Sequence, residues 1–234
     1  MFGITDEEIK SLISAIDYSE VLTITATKDE VKSACEDAKI YGFRAVVAFP
    51  QYIGVLVDAL EGTDILAQIP VGFPCGGVTT LIKCTEAEQG LKRGATDLDM
   101  VMNLSAFQEG DYSRVSTDIQ EVMTVARPFG VPFKVILEVG VLTDQQIAMA
   151  AKLVEDCGAD FVKTCTGFGS GRATIHNISL IKKTVGDRIG IKASGGVASL
   201  EDGVAMMRAG ATVVALRHVL VDQLKALDWP TIER

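Results

Sequence analysis

The chain has 234 residues, of which 48% are hydrophobic, and carries a formal net charge of −9 at pH 7. This length and apolar content predict one domain over residues 1–234, with a core large enough for an α/β barrel. The acidic balance argues against a nucleic-acid partner, because neutralising phosphates needs clustered Lys and Arg.

Cysteine spacing and the N-terminal sequence favour a cytoplasmic protein without a membrane partner. The five cysteines are scattered and never spaced C-x-x-C, which predicts neither a disulfide framework nor a thiolate zinc site. The opening M-F-G-I-T-D-E-E-I-K lacks the pattern of a targeting segment, and no apolar run approaches a membrane-spanning length.

The predicted elements alternate along the chain. A helix over about residues 5–16, within an extra N-terminal segment 1–17, comes first. Helix start signals follow at 27–30 (T-K-D-E) and 143–146 (T-D-Q-Q), and glycine tripeptides such as Y-G-F and A-G-A mark helix ends. Short β-branched runs predict eight strands, at 21–25, 44–49, 67–73, 97–103, 133–139, 160–164, 189–194 and 212–216.

Eight strand–helix units in succession predict a (β/α)8 TIM barrel with the additional helix at its N-terminus. A doubly wound open sheet is the alternative architecture. It is less favoured because no dinucleotide fingerprint follows the first predicted strand.

Polar residues late in barrel strands are candidates for catalysis, because barrel active sites lie at the carboxyl ends of the strands. Asp99, Glu138, Lys163 and Lys192 meet this criterion. Strand alternation puts Lys163 on one face of strand six and Lys192 on one face of strand seven; if both face the barrel interior, the two lysines lie side by side.

Two ammonium groups in a partly dry cavity disfavour each other's charge, so one lysine would lose its proton easily and act as a nucleophile. The alternative is an ordinary ion pair of either lysine with Asp97, Asp99 or Glu138. Two lysines at adjacent strand ends beside an interior aspartate favour the nucleophile. Glycines at 167–172 and 194–197 could present N–H groups to an anion, or could simply serve tight turns. His176 and His218 stand in no ligand cluster, so no metal is expected.

Several motifs together resemble the deoxyribose-phosphate aldolase family, over about residues 25–212. These are V-G-F-P-C-G at 71–76, T-D-L-D-M-V-M-N at 96–103, K-V-I-L-E-V at 134–139, F-V-K-T-C-T-G-F at 161–168 and I-K-A-S-G-G-V at 191–197. The resemblance implies a class I aldolase without metal or other cofactor, which cleaves 2-deoxyribose 5-phosphate to acetaldehyde and glyceraldehyde 3-phosphate.

The resemblance also implies roles for individual residues. Lys163 would form the Schiff base, Lys192 would lower its pKa and assist proton transfer, and Asp99 would act with a water as acid and base. The substrate-binding residues that it implies are Thr166, which would order that water, Lys134 and Glu138, which would line the site, and Gly167, Gly195 and Gly196, which would contact the phosphate.

Three segments depart from the family pattern. Strand one usually carries Asp-His-Thr-Leu-Leu-Lys-Pro, and the stretch matched to it here is Y-S-E-V-L-T-I at 18–24. Phe49 replaces an asparagine after strand two. The last strand ends in A-L-R-H-V at 215–219 in place of small residues and hydroxyls, so Arg217 would either grip an anion or, with His218, point outward.

The leading hypothesis is therefore an aldolase of this type, acting on 2-deoxyribose 5-phosphate or a related hydroxy-aldehyde or hydroxy-ketone. A non-catalytic descendant that binds a small metabolite is the alternative. A phosphosugar isomerase is a third, weaker reading that would need Glu138 as its base. The expected partners are a small aldehyde or sugar phosphate and, by analogy with the family, further copies of the chain in a homo-oligomer.

Overall fold

Eight parallel strands close into a barrel in the computed structural model, which describes residues 3–21 and 23–232. Each strand pairs with the next along the chain, and the ring closes where the first strand pairs with the last through Asp17 and Ala215. The predicted TIM barrel is confirmed. The strands are β1 (Ile16–Ser19), β2 (Ala45–Val47), β3 (Leu66–Val71), β4 (Asp97–Val101), β5 (Phe133–Ile136), β6 (Phe161–Lys163), β7 (Gly190–Ala193) and β8 (Val213–Leu216).

Helices connect successive strands, and an extra helix precedes the barrel. The helices of the described residues are α1 (Asp6–Ile13), α2 (Lys28–Tyr41), α3 (Ile53–Leu60), α4 (Thr80–Lys92), α5 (Leu104–Gln108), α6 (Tyr112–Ala126), α7 (Asp144–Asp156), α8 (Ile175–Val185), α9 (Leu200–Arg208) and α10 (Val219–Ala226). Single 3-10 turns occur at Pro50–Tyr52, Arg127–Phe129 and Val139–Val141. None of the helices in this part of the chain is long and apolar enough to cross a membrane.

The local signals read from the sequence act as predicted. Thr27 and Thr143 each form a capping box with the residue three positions on, at the starts of α2 and α7. Gly42 and Gly210 end their helices with φ of 78° and 118°, a conformation that a side chain disfavours.

The predicted first strand is wrong. The structure places β1 at Ile16–Ser19, whereas the predicted run 21–25 lies in the loop after it, with Ile24 74% exposed and Leu22 outside the described residues. The predicted helix at 5–16 ends at Ile13, so residues 16 and 17 of the N-terminal segment belong to the barrel; residues 1 and 2 lie outside the described part. Tertiary pairing decides the assignment, because I-D-Y-S is buried throughout between β2 and β8.

The barrel presents its two ends differently. Cavities of about 940 and 770 Å³ open at the amino ends of the strands, and Arg44 lines both. A smaller cavity of about 270 Å³ lies at the carboxyl ends of β1, β7 and β8. The catalytic candidates Lys163 and Lys192 lie on β6 and β7, between these two ends.

Candidate active site

Lys163 and Lys192 are partners in the register of β6 and β7, so their side chains lie side by side inside the barrel. The Nζ atoms of both donate to the same atom, Oδ2 of Asp99, over 2.6 and 2.7 Å. Asp99 and Lys192 are completely buried, and Lys163 is 4% exposed. The structure thus brings the three predicted catalytic residues together. The ion pair considered as the alternative is also present, and Asp99 is the common partner of both lysines.

Further charges extend this group into a network. Asp17 Oδ2 lies 2.5 Å from Lys192 Nζ, and the Arg44 guanidinium lies 2.5 Å from Asp17 and 2.9 Å from Asp97. Lys134 pairs with Asp97 and lies 3.4 Å from Asp99 Oδ1. The interior network consists of the cations Arg44, Lys134, Lys163 and Lys192 and the carboxylates Asp17, Asp97 and Asp99.

The network carries one more cation than carboxylates, and this excess bears on Lys163. Burial lowers the pKa of Lys163 to about 8; Asp99 opposes this shift, and the neighbouring Lys192 reinforces it. Burial acts on Lys192 in the same direction, but Asp17 and Asp99 outweigh it and raise the pKa of Lys192. The pKa values of the two adjacent lysines are therefore shifted in opposite directions, and Lys163 is the one that loses its proton more readily.

Asp99 is held as a carboxylate. Burial favours its neutral form, but the ammonium groups of Lys163, Lys192 and Lys134 outweigh that effect and keep the pKa of Asp99 well below its usual range. Asp17 behaves alike: burial raises its pKa, and the cations led by Lys192 lower it overall. Because their pKa values are lowered, both carboxylates would hold a proton only briefly. This property suits groups that pass a proton between two partners.

Glu138 and Thr166 contact each other through two hydrogen bonds. Glu138 Oε2 accepts hydrogen bonds from the backbone N–H and the hydroxyl of Thr166, at 2.9 and 2.5 Å. The Thr166 hydroxyl therefore donates its proton in a hydrogen bond to Glu138. It could bind a water only by accepting a hydrogen bond from that water. Glu138 adopts a left-handed backbone, φ 54°, and supports the loop that follows β6.

A cavity of about 270 Å³ brings Ser194, Gly195, Gly196 and Arg217 together. Both glycines have positive φ, and a Cβ at Gly195 would lie 2.8 Å from that of Cys165. Arg217 donates from Nη2 to Thr23 Oγ1 at 3.0 Å, while its buried Nε has no hydrogen-bond partner among the described residues. Gly167 also has positive φ and begins the loop after Thr166. His218, by contrast, is exposed and precedes α10.

Three aromatic rings form a row across the barrel mouth. The Phe49 and Phe73 centroids are 6.4 Å apart, and those of Phe73 and Phe168 are 5.4 Å apart, each pair meeting edge to face. These residues follow β2, β3 and β6, and β3 and β6 are not neighbours in the barrel. The apolar ring predicted at Phe49 therefore belongs to a larger aromatic wall above the buried lysines.

Three residues of the site were not predicted from the sequence: Asp17, Arg44 and Gln68. Asp17 was placed beyond a predicted helix, and the strand-one match 18–24 starts one residue after it. A shift of that match by one residue aligns Asp17 with the aspartate of the family segment. Arg44 and Gln68 carried no such signal, because each stands in an otherwise apolar run.

Metal ligation has no candidate here. Within 3–21 and 23–232 no group of three or more His, Cys, Asp and Glu side chains is arranged to hold a metal ion. His176 contacts Asp144 at the protein surface, 2.8 Å away.

Comparisons with known proteins find relatives over most of the chain. Residues 11–220 match the model of the DeoC/LacD family aldolase, a longer span than the motifs alone indicated. The deoxyribose-phosphate aldolase of Caldanaerobacter subterraneus subsp. tengcongensis is 41% identical over 207 residues, 88% of this chain and 89% of that protein. The Thermoanaerobacter pseudethanolicus enzyme of the same name is 42% identical over 202 residues, 86% of this chain and 90% of that one.

Solved structures share the architecture. The tetrameric deoxyribose phosphate aldolase of Aeropyrum pernix superimposes with a TM-score of 0.85 at 27% sequence identity. The superposition covers 96% of this chain and all of that one.

Proposed function

The chain belongs to the DeoC/LacD aldolase family and is a carbon–carbon lyase, and from that premise we propose that it cleaves 2-deoxyribose 5-phosphate through a Schiff base on Lys163. The products are acetaldehyde and glyceraldehyde 3-phosphate. One observation carries the proposal: Lys163 and Lys192 share a single oxygen of Asp99 in a buried site. Such an arrangement separates the protonation of two neighbouring lysines, as nucleophilic catalysis by an amine requires.

The reaction begins at the substrate aldehyde. Neutral Lys163 Nζ attacks C1 of the open-chain sugar, and loss of water leaves a protonated imine. A base removes the proton of the C3 hydroxyl, the C2–C3 bond breaks, and its electron pair moves into the iminium to form an enamine. Glyceraldehyde 3-phosphate leaves, the enamine is protonated at C2, and hydrolysis releases acetaldehyde and free Lys163.

Asp99 and Lys192 are suited to the proton transfers. Asp99 Oδ2 touches both lysines and is a carboxylate, so it can take a proton, directly or through a water, and return it. Lys192 stays protonated and supplies the positive charge that disfavours an ammonium at Lys163. Lys134 lies 3.4 Å from the other oxygen of Asp99 and adds a positive charge beside it. Glu138 and Thr166 are hydrogen-bonded to each other and stabilise the loop that follows β6.

The phosphate end fits the cavity that holds Gly195, Gly196 and Arg217. Two successive glycines with positive φ can turn their N–H groups towards an anion, and the unpartnered Nε of Arg217 adds a cationic donor. Gly167 would contribute a further N–H from the loop after β6. This arrangement replaces the small residues and hydroxyls of the family pattern by one guanidinium.

The oligomeric state and the cellular location of the protein stay predictions. A homo-oligomer is supported by the tetrameric state named for the Aeropyrum pernix neighbour. A cytoplasmic location is supported by the five cysteines, which are all free and suit a reducing compartment.

A cleavage assay tests the reaction. The protein is incubated with 2-deoxyribose 5-phosphate or with 2-deoxyribose, and acetaldehyde is measured by its enzymatic reduction with NADH. We expect turnover of the phosphorylated sugar, and at least about a thousandfold loss in Lys163→Met. Acetaldehyde from neither sugar would refute the proposed substrate class.

Lys83→Met is the matched control. Lys83 is also a buried, ion-paired lysine, 2.5 Å from Asp118, but it lies outside the barrel interior, between α4 and α6. Its loss should reduce stability and leave cleavage by the folded protein intact. Equal loss of activity in both variants would attribute the effect of Lys163→Met to folding.

A further inference from the structure

Gln68 is a fully buried, neutral side chain in the middle of the charged network. It lies on β3, and its amide bridges two of the catalytic candidates. Its Nε2 donates to Asp99 Oδ1 at 2.6 Å, and its Oε1 accepts from Lys192 Nζ at 3.0 Å. A glutamine amide has one donor end and one acceptor end, so this residue is used at both ends.

The bridge makes the surroundings of the two lysines unequal. Lys192 Nζ donates hydrogen bonds to Asp99 Oδ2 and Gln68 Oε1, and it forms an ion pair with Asp17 Oδ2 at 2.5 Å. For Lys163 Nζ, the described residues provide only Asp99 Oδ2. An ammonium has three protons to donate and one positive charge, so the two acceptors and the added carboxylate around Lys192 favour its ammonium form more than the single acceptor at Lys163 does.

The same amide also fixes the orientation of Asp99. A carboxylate can rotate about its bond to Cβ and exchange its two oxygens between partners. Gln68 Nε2 holds Oδ1 at 2.6 Å, and Lys134 lies 3.4 Å from that oxygen. Oδ2 is consequently left directed at Lys163 and Lys192.

We propose that Gln68 is a positioning residue that clamps Lys192 to Asp99 and thereby leaves Lys163 as the lysine that reacts with the carbonyl substrate. This inference rests on the proposed function and assigns a reason why the chemistry occurs at Lys163 and not at its neighbour. The amide does so without adding a charge.

Neutrality matters because charged side chains on or beside six of the other seven strands belong to the network around the amide. The groups that surround it are Asp17 on β1, Arg44 before β2, Asp97 and Asp99 on β4, Lys134 on β5, Lys163 on β6 and Lys192 on β7. Their sum is one positive charge when all are ionised, and release of the Lys163 proton balances it. A fourth carboxylate at position 68 would make the network neutral with Lys163 protonated, so loss of the Lys163 proton would no longer be favoured by charge balance.

Two variants of nearly unchanged length separate positioning from charge. Gln68→Met removes both amide contacts, and Gln68→Glu keeps the shape but adds the carboxylate. The measurement is the rate of adduct formation with acetaldehyde and cyanoborohydride across a pH series, followed by peptide mapping and accompanied by thermal melting. It needs no knowledge of the acceptor aldehyde.

We expect the Gln68→Glu protein to shift the pH midpoint of trapping at Lys163 upward by about one unit, because the added charge favours the ammonium. We expect Gln68→Met to trap at least about tenfold more slowly while half-saturation by acetaldehyde changes little. An unchanged midpoint in folded Gln68→Glu would overturn the inference, as would wild-type rates in Gln68→Met. Should Gln68→Met fail to fold, the midpoint in Gln68→Glu decides.

The wild-type protein separates this inference from the proposed function. Trapping at Lys163 in the wild type together with unchanged variants refutes only the role of Gln68. No trapping in the wild type refutes the Schiff base itself.

Discussion

Lys163 and Lys192 stand opposite each other on adjacent parallel strands and donate to the same oxygen of Asp99, at 2.6 and 2.7 Å. Burying two like charges together is costly unless opposite charges and hydrogen bonds offset their repulsion and desolvation. The energetic cost of carrying a positive charge is lower for Lys192 than for Lys163, because Lys192 has further partners in Asp17 and Gln68. The strand register thus pairs two lysines with unequal surroundings, and this inequality is the basis for proposing Lys163 as the nucleophile.

The pH dependence of the reaction follows from Lys163. Its pKa of about 8 means that the reactive neutral amine declines as pH falls below that value, so the rate at subsaturating substrate should fall with an acid limb near pH 8. Initial rates over a pH series give the midpoint. A midpoint near the ordinary lysine value would contradict the assignment.

Stability should respond to pH through the same residue. The folded pKa lies below the ordinary value of 10.5, so between about 8 and 10.5 the unfolded chain binds more protons than the folded one. The free energy of unfolding should therefore gain from Lys163 as pH rises through this window. Urea denaturation of wild type and Lys163→Met at both ends of the window isolates that contribution, which Lys163→Met should lack.

Asp99→Asn should destabilise the protein by about 3–5 kcal/mol, because it leaves buried ammonium groups without their shared carboxylate. It should also abolish trapping at Lys163. Asp118→Asn is the matched control, since it breaks another buried lysine pair outside the site. Urea denaturation should show both variants weakened, and only Asp99→Asn should lose the adduct. Loss of the adduct in both would indicate a general effect of destabilisation.

Arg217→Leu tests the anion contact. Removing the guanidinium should raise KM for 2-deoxyribose 5-phosphate about tenfold or more and leave turnover of 2-deoxyribose unaffected. Arg188→Gln offers a control, because Arg188 pairs with Glu155 and lines the cavity at the opposite end of the barrel. Unchanged KM in Arg217→Leu would show that the phosphate is recognised without this residue.

Gly195→Ala should weaken both the fold and the phosphate end. An alanine there meets a positive φ and a Cβ contact of 2.8 Å with Cys165, which together cost about 2–4 kcal/mol. Gly110→Ala meets a similar φ of 79° with nothing within 4 Å, so it should cost only about 1 kcal/mol. Denaturation midpoints of the two variants compare the two costs, and equal midpoints would mean that Cys165 can move away.

Much of the barrel was predictable, because strands buried on both faces read as apolar runs and glycine ends most helices before them. Lys163, Lys192 and Asp99 were found for the same reason, as charges that interrupt such runs near strand ends. The first strand was not, since I-D-Y-S has little strand character until β2 and β8 bury it. Gln68 and Arg44 could not be assigned either, because their partners are 124 and 27 positions away in the chain.

The most direct test is to incubate the protein with acetaldehyde, reduce with borohydride and map the modified peptide by mass spectrometry. A single ethyl group on Lys163, absent in Lys163→Met and formed more slowly in Lys192→Met, is the predicted result. No adduct with acetaldehyde, dihydroxyacetone or any other short carbonyl would contradict the Schiff base and favour a protein that binds a metabolite without turning it over.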